Sequence, residues 1–375
     1  MMNTTPPALP WYTIHDAHLL DSPALVIYPQ RVQANINRLL ASIDDKQRLR
    51  THVKTHKSND VLQLLLQSGI SRFKCATIAE AEMLAAGGAR DILLAYQPTG
   101  PKLQRFIALV EKYPAVEWAC LCDHEKTARQ QSAAFTAAGI TVPVYIDLNV
   151  GMDRTGILPA LALDLYQLCA TLPGIQPVGL HVYDGHLRQR DLAQRKQAVN
   201  EAFALVTALA DAIVKAGLAT PLIVAGGSPS YPIHAQRAAV QCSPGTFIFW
   251  DKGYIENLPE QPFEPAALLL TRVVSLPTPT TLCLDLGHKS VTAENDISKR
   301  VVFLNAPDLQ LISQSEEHGI VSAPEGHQHT IGELLYALPW HICPSVALYE
   351  RAQVIEDGKR KGEWRITARD RQLTI

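Results

Sequence analysis

From Leu49 onward, short apolar runs alternate with stretches in which apolar residues recur every three or four positions. The runs are Leu49–Lys54, Arg72–Thr77, Asp91–Tyr96, Val116–Leu121, Pro143–Leu148, Pro177–Tyr183, Pro221–Ala225 and Ala239–Ser243. Each is apolar enough to be buried on both faces, as strands of a parallel sheet are. Helical periodicity fills most of the gaps, over Ala79–Ala86, Lys102–Lys112, Glu125–Ala138, Leu158–Ala170 and Arg190–Ala216. Eight strands, nearly all separated by helices, predict an α/β fold of the (β/α)8 barrel kind. A strand at Ala24–Tyr28 and an amphipathic helix opened by Pro29 precede this rhythm.

After about Asp251 the pattern changes. Short strand-like runs at Ala267–Ser275, Thr281–Leu286, Val301–Leu304, Gln310–Gln314 and Glu363–Thr367 are separated by turn residues, with little helical period. They predict a C-terminal antiparallel β domain. The expected division is an N-terminal segment, 1–20, that joins the β domain, a barrel over 21–255, and the β domain over 256–375.

The 375 residues are 47% hydrophobic and 19% charged, with a net charge of -2. Such a chain has no field to gather nucleic acid or an acidic membrane surface. No basic segment followed by an apolar run opens it, and no apolar run reaches the roughly 18 residues a membrane span needs. Seven cysteines lie scattered, mostly inside apolar strands such as Trp118-Ala-Cys-Leu-Cys122. Reduced, buried thiols and a cytoplasmic location are the expectation.

Chemistry concentrates first at Arg50-Thr-His-Val-Lys-Thr-His-Lys57. Lys54 falls at the C-terminal end of the first barrel strand, where barrels gather their catalytic groups. Partly desolvated and beside further cations at His52, His56 and Lys57, its amine would be easier to deprotonate and could attack a carbonyl to form a Schiff base. The alternative is a solvated basic strand end. Loops after the seventh and eighth strands, Ala225-Gly-Gly-Ser-Pro229 and Cys242-Ser-Pro-Gly-Thr246, offer the backbone N–H groups and hydroxyls of a phosphate cradle. Each is also an ordinary turn. A lysine at strand one with a phosphate cradle at strands seven and eight is what bound pyridoxal phosphate requires.

These residues resemble the fold-type III pyridoxal-phosphate enzymes of the alanine racemase N-terminal class, in the branch of D-threonine aldolase and the eukaryotic-type D-serine dehydratase. The likeness runs through Ser22-Pro-Ala-Leu-Val26, Arg50 to Lys57, Gly151-Met-Asp-Arg-Thr-Gly156, Gly226-Gly-Ser228, Pro244-Gly-Thr246, Ser315-Glu-Glu-His-Gly319 and Pro339-Trp-His-Ile-Cys-Pro344. The family usually shows proline where this chain has Thr51. By this resemblance, Lys54 carries pyridoxal 5'-phosphate and Lys57 is a structural or phosphate-side charge. Arg154 lies by the ring hydroxyl, and Tyr183 packs on the ring or reaches its nitrogen. Gly226, Gly227, Ser228, Gly245 and Thr246 hold the phosphate.

His341 and Cys343 share a face if their segment is extended. The resemblance makes them ligands of a divalent metal, zinc before manganese, with positions left open. His-x-Cys marks the dehydratase side of the branch and His-x-Asp the aldolase side. His327 and His329 read as solvated or supporting, and His318 is unassigned. The reading is a lyase of small β-hydroxy-D-amino acids giving a 2-oxo acid and ammonia, with D-threonine aldolase chemistry as the alternative. A racemase is the further alternative, with Tyr336 or Tyr349 as its second base. Arg188 and Arg190 are candidates for a distal carboxylate, and a homodimer without nucleic-acid or membrane partners is expected by analogy.

Overall fold

The computed structural model describes residues 9–375, which divide into two compact units. Strand β1 (Ala24–Ile27) lies in the smaller unit. The eight that follow build the larger: β2 (Arg50–His52), β3 (Arg72–Cys75), β4 (Asp91–Leu94), β5 (Glu117–Cys122), β6 (Val142–Leu148), β7 (Ile175–Val182), β8 (Leu222–Ala225) and β9 (Val240–Cys242). Each pairs in parallel with the next, and a parallel bridge between Leu49 and Cys242 joins the two ends. This is the expected barrel. Arg50 braces the closing seam: its Nε donates to Gln241 Oε1 at 2.8 Å, and its Nη2 to Asp91 Oδ2 at 3.1 Å.

Helices α1 (Pro29–Ala41), α3 (Ile78–Ala86), α4 (Pro101–Lys112), α5 (Glu125–Ala137), α6 (Pro159–Thr171) and α7 (Leu192–Lys215) follow the predicted segments closely, and α2 (Asn59–Gln67) joins them after β2. Local chemistry sets their starts. Ser58, Thr77 and Asp191 each accept a backbone N–H of the first turn, as N-caps do. Leu93, Ala119, Leu121, Tyr145 and Val224 form one buried cluster across the strands, a packed core and not a pore. Interrupted by charges, α7 shows no continuous apolar run, yet by length and composition it is apolar enough to cross a membrane. It packs against α6, and its buried Arg195 pairs with Glu260.

The smaller unit comprises residues up to Ala34, then Phe249–Gly253 and Glu264–Ile366. Its strands are β10 (Ala267–Thr278), β11 (Thr281–Leu284), β12 (Val301–Phe303), β13 (Gln310–Gln314), β14 (Gly319–Ser322), β15 (Leu334–Pro339), β16 (Arg351–Glu356) and β17 (Lys359–Arg365). The sheet runs β13-β14-β11-β10-β1-β16-β17, with β15 pairing both β10 and β12.

The division departs from the expected one at both ends. Strand β1, placed with the barrel by the expected boundary at residue 21, pairs antiparallel with β10 and parallel with β16. Its Leu25, Val26 and Ile27 are fully buried there, and four apolar residues carry no local mark of which sheet will bury them. Residues Thr367–Ile375 join the barrel unit instead of the β domain, where the Thr374 and Ile375 N–H groups donate to buried Glu82 at 3.1 and 3.2 Å. Residues 1–8 of the expected N-terminal segment lie outside the described residues. From Leu9 the segment belongs to the β unit, where Ile14 N donates to Tyr336 Oη at 3.1 Å.

Candidate active site

A cavity of about 560 Å³ opens at the C-terminal ends of the barrel strands. Its size is that of a small-molecule site. Lys54 lines it from a short turn, Val53–Thr55, directly after β2. The Lys54 N–H donates to His52 Nδ1 at 3.2 Å, so the strand's last residue caps the turn that aims the lysine.

The cations expected around Lys54 are arranged differently. Burial, then the charges of Lys54 and Lys74, hold His52 well below the ordinary imidazole range. Burial drives His56 down to about 3. Both rings are neutral at neutral pH, because a charged ring cannot be solvated where they sit. Lys57 is tied to the buried carboxylate of Glu80, a structural role.

Tyr183, just past β7, is the hub of the cavity. Arg154 Cζ lies 4.7 Å from its ring centroid, Lys54 Nζ 5.7 Å and Lys74 Nζ 5.9 Å. Three basic side chains around one ring make the cavity a place for an anionic group. Arg154 is carried by a tight loop after β6. Asn149 Oδ1 accepts the N–H groups of Gly151 and Asp153 at 3.0 and 3.1 Å, and Gly156 N donates to Asp123 Oδ2 at 2.9 Å. Gly156 has φ +101, and a Cβ there would lie 2.5 Å from Asn149 N.

The two predicted phosphate loops meet. Thr246 N donates to Ser228 Oγ at 3.3 Å, Gly227 lies against the Tyr183 ring, and Gly245 lies against His52. Ser243 Oγ is buried with no hydrogen-bond partner among the described residues. An orphaned hydroxyl, two glycine loops and a cationic cavity fit a phosphorylated cofactor. Beneath them lies a network that the sequence did not signal. Asp184 accepts Ser230 Oγ–H at 2.6 Å and contacts His234 Nε2 at 2.8 Å, while Gly227 N donates to Ser230 Oγ at 3.3 Å. Gly226, at φ +80, leaves room for His234 and Ser230.

Lys74 is the functional group that sequence reasoning missed. It is 2% exposed in β3, and its Nζ lies 3.4 Å from His181 Nε2, whose Nδ1 is 2.7 Å from Asp147 Oδ1. Burial and the Lys54 charge pull the Lys74 amine down to about 7, against the attraction of Asp147 and Asp184. Burial raises the Asp147 carboxyl, but the pairing with His181, the Thr155 hydrogen bond and the Lys74 charge together hold Asp147 below its usual range. Its neighbours Phe73 and Cys75 are fully buried, but nothing in the sequence marks Lys74 itself as interior.

In the β unit His341 and Cys343 are in contact, but not on an extended strand. His341 is the N-cap of the short helix Ile342–Val346, and Cys343 lies in that helix's first turn. Burial alone would lower the His341 imidazole. The hydrogen bond and charge of Cys343, with Glu294 and Asp251, instead raise it to about 9, an environment built for positive charge. That donor set suits a divalent cation. Among the described residues no cluster of three or more His, Cys, Asp or Glu is placed to hold an ion, so the pair leaves most coordination positions open.

The remaining candidates are placed elsewhere. His329 bonds Glu333 at 2.9 Å and stacks near His327. Arg188 and Arg190 are exposed. Tyr336 accepts Ile14 N–H, and Tyr349 donates to Ser290 O at 2.7 Å, so both hydroxyls expected of a racemase base are engaged within the β unit. All seven cysteines are free of disulfides.

The profile of the alanine racemase N-terminal domain matches residues 27–252, well over half of the chain. The chain belongs to that family. A serine dehydratase domain profile matches 266–355. The chain is 30% identical to a D-threonine aldolase of Arthrobacter sp over 360 residues, 93% of each. Among solved structures it is similar to D-threonine aldolase from Filomicrobium marinum, with TM-score 0.86, 25% identity, and 93% and 96% of the two chains covered. It is also similar to D-threo-3-hydroxyaspartate dehydratase from Delftia sp. HT23, with TM-score 0.81, 25% identity, and 92% and 97% covered. The alanine racemase-like barrel and the lyase class predicted from the resemblance both stand: the chain is a pyridoxal-phosphate-dependent lyase of this family.

Proposed function

We propose that the protein eliminates water from a small β-hydroxy-D-amino acid, in the manner of D-serine dehydratase, giving a 2-oxo acid and ammonia. The observation that carries this reading is the convergence of Lys54, Arg154 and Tyr183 on one cationic cavity. Cys343 beside His341 favours dehydration over aldol cleavage.

Lys54, Arg154, Tyr183, Ser228, Ser243 and Thr246 would hold pyridoxal phosphate, which supplies an electron sink for a carbanion at Cα. His341 and Cys343 would hold a divalent ion, which supplies Lewis acidity to a departing hydroxyl. The Lys54 amine, once released by substrate, takes the Cα proton from one face only, which selects the D configuration. Arg154 draws in the carboxylate. Neutral His52 caps the turn that carries Lys54 and keeps that amine aimed at the cavity. In the balance, Cα loses a proton and Cβ loses hydroxide, together one water; Cβ then regains a proton, and water enters at Cα as ammonia leaves.

The second reading, cleavage of the Cα–Cβ bond to glycine and an aldehyde, is favoured by the Arthrobacter relative, a D-threonine aldolase at 30% identity. A metal-supplemented assay with D-serine, D-threonine and D-threo-3-hydroxyaspartate separates the two. Oxo acid and ammonia support the dehydratase; glycine and aldehyde replace it with the aldolase. A homodimer in the cytoplasm completes the proposal, by analogy for the dimer and from the seven free thiols for the compartment.

A further inference from the structure

Lys74 has no part in the reaction above, yet it lies buried on the wall of the same cavity. Every element around it brings a charged or titratable group: Arg50 and His52 from β2, Lys54 from the turn after it, Asp147 from β6, Arg154 from the loop beyond, and His181 and Asp184 from β7 and its end. Within this set one chain of side-chain contacts starts from Lys74. Lys74 Nζ meets His181 Nε2 at 3.4 Å, and His181 Nδ1 meets Asp147 Oδ1 at 2.7 Å. Asp147 accepts, so His181 carries its proton on Nδ1 and turns an acceptor, Nε2, toward the lysine.

We propose that Lys74 is a positioning residue for the reaction: with His181 and Asp147 it forms a proton-sharing relay that sets the charge of the cavity wall facing the substrate. This deepens the lyase reading and rests on it. With Lys74 protonated, the relay is neutral as a whole and its cavity end is cationic. With Lys74 neutral, the relay carries one net negative charge, which repels an amino-acid carboxylate and removes a like charge from beside Lys54. The change falls in the neutral range, because burial brings the amine down to about 7. A purely structural lysine would leave KM unmoved as pH climbs through neutrality.

The test reads His181 in the cofactor-free protein, so it needs neither substrate nor turnover. Protein carrying 15N only in histidine is titrated from about pH 6 to 9, and the His181 signal is assigned by its loss in His181→Gln. Burial and the Lys74 charge hold the His181 ring below its ordinary range, and the Lys74 variants separate the lysine's response from the imidazole's own. The expected result is a His181 Nε2 shift with a midpoint near neutrality, lost in Lys74→Met and in Lys74→Arg, whose guanidinium stays charged throughout. Superimposable curves in wild type and Lys74→Met overturn the proposal, and so does a flat wild-type curve. If melting curves show that Lys74→Met does not fold, the comparison of wild type with Lys74→Arg decides alone. In the loaded enzyme the same group should raise KM roughly three- to tenfold as pH climbs through neutrality, with a smaller effect on kcat. Failure of the lyase reading would show instead as absence of oxo acid and glycine at every pH, with the His181 titration intact.

Discussion

Two lysines in one cavity divide the work by position: Lys54 on the turn at the strand end, Lys74 inside the strand. Lys54→Ala is expected to lower turnover by about 10²–10⁴-fold, the usual contribution of a general base, and to abolish the absorbance of lysine-bound cofactor. Lys74 gives a pH signature in stability as well. Its amine is depressed from 10.5 to about 7 on folding, so between those values the unfolded chain binds more protons than the folded one. Stability therefore rises with pH across that window, by up to about 1.4 kcal/mol per pH unit. Chemical denaturation at several pH values should show the rise in wild type and a flatter profile in Lys74→Met. Of the two residues only Lys54 was legible in the sequence, because it stands in a recognisable motif at a strand end. Lys74 is polar in a place that only the closed barrel defines as interior.

The site depends on loops that are braced from below. Asp184 holds Ser230 and His234 under the Gly226-Gly227-Ser228 turn. Asp184→Ala strands both partners in a buried setting, and a cost of about 1–3 kcal/mol for each is expected, read by urea unfolding together with weaker cofactor retention. Gly156→Ala forces a side chain into a left-handed backbone against Asn149 and Leu148. It should cost about 1–3 kcal/mol and displace Arg154, seen as lower cofactor affinity with the barrel still folded. The strands and helices of the barrel were readable because parallel strands buried on both faces leave continuous apolar runs. The fate of β1 was not, since its pairing with β10 and β16 is a long-range choice between two sheets. Nor was the turn at His341, where a helix begins instead of a strand continuing.

For the molecule as a whole, the proposed function gives the cofactor to the barrel unit and the metal pair to the β unit, and removal of one should leave the other intact. Chelation, or Cys343→Ala, is expected to stop turnover while the absorbance of cofactor on Lys54 persists; loss of that absorbance on chelation would tie the metal to the cofactor's own binding. The central claim is that Lys54 is the residue that holds the cofactor. It is tested by reducing the pyridoxal-phosphate-loaded protein with borohydride and mapping the modified peptide by mass spectrometry. One phosphopyridoxyl group, on Lys54, is expected. A label on Lys74, or none on either lysine, would contradict it.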